Sequence, residues 1–216
     1  MPRIVCISDT HRRLEQISIP DGDILIHAGD LTMQGRLVEV ATELQKLAVL
    51  PHKHKVFIAG NHDRLFEKDP MLARSLVRDV ASAGVVYLEE SHTVVDGLKI
   101  WGSPWQPAFG NWAFNYDRTE GAERWAMMPD DADIVVTHGP PQGYGDVVVG
   151  RLDRLGCVDL AAAVARTKPR LHIFGHIHSG RGVYSGLGAC SATTFVNAAC
   201  LGEDYRPCGG GIVVEV

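Results

Sequence analysis

The chain has 216 residues, 45% of them apolar and 22% charged, with a net charge of -5. That length suits one well-filled domain over 1–216, and the acidic balance argues against nucleic acid as a partner, since a phosphate backbone calls for a basic face. No apolar run reaches the roughly 18 residues of a membrane span. Met1-Pro2-Arg3 passes straight into an apolar strand with no signal-peptide pattern, so a cytoplasmic chain with no membrane partner is expected.

Ile4 to Ile7 is the first short apolar run, and it ends on Ser8-Asp9-Thr10-His11. A run this short and apolar on both faces suits a strand buried inside an α/β sheet. Ile24 to Ile26 repeats the pattern and leads through His27 to Gly29-Asp30. Leu37 to Leu47 reads as an amphipathic helix with Leu37, Val40, Ala41, Leu44 and Leu47 on one face. His52 and His54, beside Lys53 and Lys55, read as a solvated loop. Val56 to Ala59 is a third strand and runs into Gly60-Asn61-His62-Asp63. Leu65 to Ala83 reads as helical in part, with Pro70 near a helix start. Thr93 to Trp101 reads as a hairpin turning on Asp96-Gly97.

Trp101 to Tyr116 gathers Trp101, Trp105, Phe109, Trp112, Phe114 and Tyr116, while Pro104 and Pro107 interrupt any single helix. Ile134 to Val136 ends on Thr137-His138-Gly139. Leu160 to Thr167 reads as a helix, and Leu171 to Phe174 ends on Gly175-His176-Ile177-His178. The glycine-rich tail from Gly182 holds β-type runs at Thr193 to Val196 and Ile212 to Val216.

Five strands thus end on Asp, Asn or His, and in open α/β sheets ligands bind outside the carboxyl ends of the strands. In Asp9-Thr10-His11 and His176-Ile177-His178 the i, i+2 spacing puts both side chains on one side of an extended segment. Polar groups gathered there are costly to bury without a partner, which makes a metal a natural occupant. The donors are nitrogen and oxygen without thiolate, a set that favours Mn, Fe, Zn, Co or Ni over Ca or Cu(I). A carboxylate bridging two cations roughly 3.5–4 Å apart is the arrangement used to cleave phosphate esters.

The ordered set Asp9-Thr10-His11, Gly29-Asp30, Gly60-Asn61-His62-Asp63, His138 and Gly175-His176-Ile177-His178 resembles the calcineurin-like metallophosphoesterase superfamily. Ile-Ser-Asp-Thr-His at the start and Thr-His-Gly-Pro-Pro are similar to the small metallophosphoesterase-domain proteins of brain and bacterial type. The resemblance implies a four-layer α/β/β/α sandwich of two mixed sheets flanked by helices, with two divalent metal ions, manganese first, at the strand ends. It implies that Asp9, His11 and His178 hold one metal, that Asp30 bridges, and that Asn61, His138 and His176 complete the other. It makes His62 a general acid or charge stabiliser beside the phosphate and not a ligand, and Asp63 a residue that orients the loop or His62, with metal-activated hydroxide as nucleophile. The strands after His178 are expected in the second sheet.

A small phosphorylated substrate, a nucleotide such as a cyclic one, is the expected partner, and phosphodiester hydrolysis the expected reaction. A phosphomonoesterase on the same centre, or a catalytically weak binding or scaffold module, is the alternative; the full donor set with His62 favours an enzyme. Each aromatic of that segment is read first as packing the core or covering a sheet edge, with a wall that stacks a base as the alternative use of the segment. Trp105 and Asn111 from that segment, together with Arg64, are the expected substrate contacts, with Asn115 and Arg118 as further polar candidates. Gly139 to Tyr144 is expected to shape the opposite rim. His27 and His172 read as strand histidines satisfied by backbone. The scattered cysteines (Cys6, Cys157, Cys190, Cys200 and Cys208) read as reduced, buried apolar residues.

Overall fold

The computed structural model describes residues 1–150 and 153–216. In chain order the strands and helices are β1 (Arg3–Ile7), β2 (Ile24–His27), α1 (Leu37–Ala48), β3 (His54–Phe57), α2 (Leu65–Lys68) and α3 (Pro70–Val80). β4 (Val85–Tyr87), β5 (Ser91–Val95), β6 (Leu98–Ser103), β7 (Gln106–Pro107), β8 (Asn115–Tyr116) and α4 (Gly121–Ala126) follow. The last group is β9 (Ile134–Thr137), α5 (Val158–Thr167), β10 (Leu171–Phe174), β11 (Gly182–Ser185), β12 (Thr194–Asn197) and β13 (Ile212–Glu215).

One sheet has the order β13-β1-β2-β3-β4 and the other β11-β12-β10-β9-β6-β5. Both are mixed: the inner strands run parallel, while β13, β11 and β5 pair antiparallel at the edges. Alternation along each strand sends side chains to opposite faces. Ile4, Cys6, Ile24 and Ile26 therefore meet Ile134, Val136, Leu171 and Ile173 in a buried layer between the sheets. Val5, Ile7, Leu25 and Phe57 face the other way, against Val40, Leu44 and Leu47 of α1 and Phe66 of α2. Val135, Phe174 and Phe195 likewise pack on Trp125 of α4 and Leu160 and Val164 of α5. The result is the expected α/β/β/α sandwich.

Local chemistry explains the element boundaries. Asp69 accepts from Leu72 N at 3.0 Å and Pro70 occupies the first helical turn of α3, so the expected helical stretch divides there. Asp96 and Gly97, at φ 48° and 82°, make the two-residue hairpin turn between β5 and β6. Some expectations are corrected. β13 joins the first sheet beside β1 instead of the second. Leu37 stays 44% exposed on α1. His52 is buried, bonded through Nε2 to Pro20 O at 3.0 Å. Cys208 is exposed, while the other four cysteines are buried.

Candidate metal centre

The inner strands of both sheets present their carboxyl ends on one side of the molecule, and hydrogen bonds tie the loops together in pairs. Asp9 N donates to Gly29 O and His11 N to Asp30 O, at 2.9 and 3.0 Å, locking the loop after β1 to the loop after β2. Gly175 N donates to His138 O at 2.9 Å and does the same for β10 and β9. The glycines before the functional residues are there for closeness. A Cβ on Gly60 would fall on Asp30, and one on Gly175 would fall on the Asp9 carboxylate. Asp9, His11, Asp30 and His176 all have positive φ, at 54°, 40°, 59° and 66°. Asp, Asn and His tolerate this region better than other non-glycine residues, yet each such residue carries strain. Its concentration at the strand ends marks a functional site.

All seven expected donors come together. Asp30 Oδ2 lies 3.6 Å from His11 Nε2 and 3.4 Å from His138 Nε2. Asp9 Oδ1 is 3.4 Å from His178 Nε2. Asn61 Oδ1 is 2.9 Å from both His138 Nε2 and His176 Nδ1. Three overlapping sets, Asp9-His11-His178, His11-Asp30-His62 and Asp9-Asp30-His138, each hold donor atoms within 4.8 Å of one another. Asp9 and Asp30 each belong to two of these sets.

The outer imidazole nitrogens are fixed by backbone carbonyls. His11 Nδ1 bonds Thr32 O at 3.1 Å, His138 Nδ1 bonds Ala28 O at 2.9 Å, and His178 Nδ1 bonds Gly202 O at 3.0 Å. Each bond turns Nε2 inward, which is how metal-binding histidines are usually oriented.

Charge balance tests whether the pocket suits a cation. Asp9 and Asp30 are 0% and 2% exposed, and among the described residues neither pairs with a lysine or arginine. Burial opposes their ionisation, but His178 for Asp9 and His138 for Asp30 hold both carboxyls well below the usual range. In return, against the pull of burial, Asp30 holds the His138 pKa up at about 9, and Asp9 does the same for His178. Two buried anions thus keep two imidazoles protonated, a role that cations would take over with release of those protons. His11 Nε2 is buried without any hydrogen-bond partner while it faces Asp30. An orphaned lone pair beside buried carboxylates, in an all N/O donor set, fits a divalent metal.

A cavity of about 350 Å³ opens beside these donors. Asp30, Asn61, His62, His176 and His178 form its polar floor, and Pro107, Ala108, Phe109, Pro140, Val148 and Leu155 an apolar wall. His62 Nδ1 bonds Met33 O at 2.7 Å, which leaves Nε2 as its second ring nitrogen. Gly139 and Pro140 lie on the rim as expected, and Arg118 lines the cavity while donating to Leu155 O and Gly156 O.

The remaining expected site residues lie outside the cavity lining. Asp63 is fully buried and does not line the cavity. Its carboxylate accepts from Leu31 N, Thr32 N, Thr32 Oγ1 and Gly60 N at 2.7–3.2 Å, so it braces the loops after β2 and β3. Burial, then the nearby Asp30 charge, push its pKa up to about 6. Arg64, Trp105 and Asn111 are also absent from the cavity lining. Trp105 packs under the Arg124 guanidinium, 4.0 Å from its ring, and against Phe114. Asn111 is exposed and uses its carbonyl to hold Arg64 Nη2 at 2.9 Å.

His27 bonds Thr10 Oγ1 through Nε2 at 2.9 Å and accepts from the Gly29 backbone N–H at Nδ1 at 3.2 Å, so backbone meets half of its needs. His172 bonds Thr137 Oγ1 through Nε2 at 2.9 Å, and its Nδ1 has no partner among the described residues. Sequence reasoning missed Tyr205, whose ring lies edge-on to His11 and His178 at 5.0 and 5.5 Å. It comes from a loop with no motif, and its only local peculiarity, a φ of 58°, cannot be read from residue spacing.

A family model described as calcineurin-like phosphoesterase matches residues 2–180. With that match, the two-sheet fold and the buried Asp/His clusters define a metal-dependent phosphoesterase, and the chain belongs to the calcineurin-like phosphoesterase family. Within it the chain is 41% identical over 234 residues to metallophosphoesterase domain-containing protein 1 of Homo sapiens, covering 99% of this chain and 71% of that protein. A UPF0046 protein of Caenorhabditis elegans is 36% identical over 230 residues, covering 99% and 80%. The crystal structure of TT1561 of Thermus thermophilus matches at a TM-score of 0.63 and 15% identity, covering 91% of this chain and 88% of that one; this is a likeness of fold.

Proposed function

We propose that the chain is a dinuclear phosphohydrolase that cleaves phosphodiesters of small nucleotides, cyclic nucleotides included. The observation that carries the reading is the convergence of two buried carboxylates, paired with no lysine or arginine among the described residues, on the orphaned His11 imidazole beside an apolar-walled cavity that Asp30 lines. In this reading Asp9, His11 and His178 hold one divalent cation, Asn61, His138 and His176 a second, and Asp30 is shared. Manganese is the expected occupant, with Fe, Zn, Co and Ni suited to the same donors. Such a pair supplies Lewis acidity at the phosphoryl oxygens and acidifies the attacking water.

The protein's own groups do the rest. His62 reaches the cavity with Nδ1 tied to Met33 O, so Nε2 is the atom that carries a proton to the leaving oxygen, a contribution of about 10²–10⁴ in rate. Asp63 acts at one remove, keeping the Gly60 amide and the Leu31–Thr32 turn where His62 and Asp30 need them. The cavity's volume is within the range of small-ligand sites, and its wall of Pro107, Phe109, Pro140 and Leu155 suits a flat, uncharged group such as a base.

Hydrolysis of bis-p-nitrophenyl phosphate and a panel of cyclic nucleotides and mononucleotides, with Mn and with chelator, tests this. Mn-dependent turnover of diesters is expected. Turnover confined to monoesters would overturn the diesterase reading, and none with any divalent metal would leave a binding module.

A further inference from the structure

The aromatic loop reaches His62 directly. The Trp112 indole stacks on the His62 imidazole, with ring centroids 4.0 Å apart and planes 26° apart. Trp112 is itself held on both flanks. Arg64 sets its guanidinium 4.5 Å from the indole centroid and bonds the neighbouring Asn111 carbonyl at 2.9 Å. On the other flank, Ala113 N donates to Asn61 O at 3.2 Å. The segment Asn61 to Arg64 and the segment Asn111 to Ala113 therefore clamp each other, with the stacked pair between them.

The bond from His62 Nδ1 to Met33 O is the ring's one hydrogen bond among the described residues, and His11 meets the ring edge-on at 4.6 Å. The χ2 torsion of histidine is broad, so without cover on the face that Trp112 takes the ring has room to swing. A stacked face removes that freedom. We propose that Trp112 is a positioning residue for His62, holding the imidazole so that Nε2 meets the leaving oxygen, and that Arg64 serves by fixing Trp112. This rests on the reading of His62 as general acid. In the step concerned, water forms the new P–O bond and the old P–O bond breaks with its electron pair going to the leaving oxygen. The proton from His62 Nε2 lands on that oxygen, and a proton from the attacking water restores the imidazolium. A leaving group that is already a stable anion needs little of this help, whereas a basic one needs all of it. The contribution of Trp112 must therefore grow with leaving-group basicity, which the contribution of a substrate wall or of a purely structural residue would not.

The test uses the full chain loaded with Mn and two diesters that differ only in leaving group, methyl p-nitrophenyl phosphate and methyl phenyl phosphate. His62→Ala, Trp112→Ala and Trp112→Phe are compared with the parent for kcat, KM and bound metal. For His62→Ala, the loss of kcat on the phenyl ester should exceed that on the p-nitrophenyl ester by about 10²-fold, with metal retained. Trp112→Ala should show the same bias at about tenfold, in kcat and not in KM, and Trp112→Phe should restore most of it. Equal losses on the two esters in Trp112→Ala, or a change in KM alone, would overturn the inference while leaving His62 as the acid. Equal losses in His62→Ala would overturn the general-acid reading and the role of Trp112 with it. Lost metal in His62→Ala would make His62 a ligand and have the same effect.

Discussion

In the proposed centre, Asp30 is the residue that both halves would share. Its Oδ2 faces His11 from one set of donors and His138 from the other, and its Oδ1 accepts from His62 N at 2.8 Å. Asp30→Asn keeps the shape and removes the charge, so affinity at both positions should fall together, by about tenfold or more each. Metal titration followed by mass spectrometry reads this, and a loss at one position alone would contradict the shared carboxylate. His172 shows a different economy. Thr137 Oγ1 donates to Gly139 O, so it accepts from His172 Nε2–H, and His172 Nδ1 is left buried and unpartnered. Burial holds its folded-state pKa down at about 3, below the ordinary 6.5. Between those values the unfolded chain takes up a proton that the folded chain refuses. Stability from His172 is complete above about pH 6.5 and falls as the pH drops towards 3. His172→Gln should flatten the loss of urea stability between pH 6 and 4 by on the order of 1 kcal/mol per pH unit. An unchanged slope would mean that His172 is protonated in the fold.

The strands that carry the site are short because they need only cross a layer, and they are apolar on both faces because helices cover one side and the second sheet the other. That is why β1, β2, β3, β9 and β10 are legible in the sequence, and why the polar residues that stop them stand out. β4, α4 and β11 have no comparable signature: Val85–Tyr87 is three residues long, Gly121–Ala126 six, and β11 alternates in exposure at a sheet edge. The pairing of β13 with β1 joins residues about two hundred positions apart, and nothing in the tail's own pattern names that partner. The donors of the candidate site were legible for the same reason as the strands, because each lies just past the carboxyl end of one. Trp112 and Tyr205 were not, since loops bring them in from segments without period. α1 gives an element-scale prediction. Leu44 is 1% exposed in the layer between α1 and the first sheet, so Leu44→Ala should cost about 2–5 kcal/mol in urea unfolding. A cost below about 1 kcal/mol would mean that α1 does not cap that layer as described.

At the scale of the whole molecule, two parallel-centred sheets face each other across a layer of Ile and Val, and their carboxyl ends open on the same side. A chain with a net charge of -5 thereby gathers two buried anions where an anionic substrate must bind. Only added positive charge makes that site attractive to a phosphate, so metal and substrate binding are parts of one design. Anomalous diffraction from crystals grown with Mn tests this most directly. Two peaks roughly 3.5–4 Å apart are predicted, one beside Asp9, His11 and His178, the other beside Asn61, His138 and His176, with the Asp30 carboxylate between them. A single peak, or two that do not flank Asp30, would contradict the account.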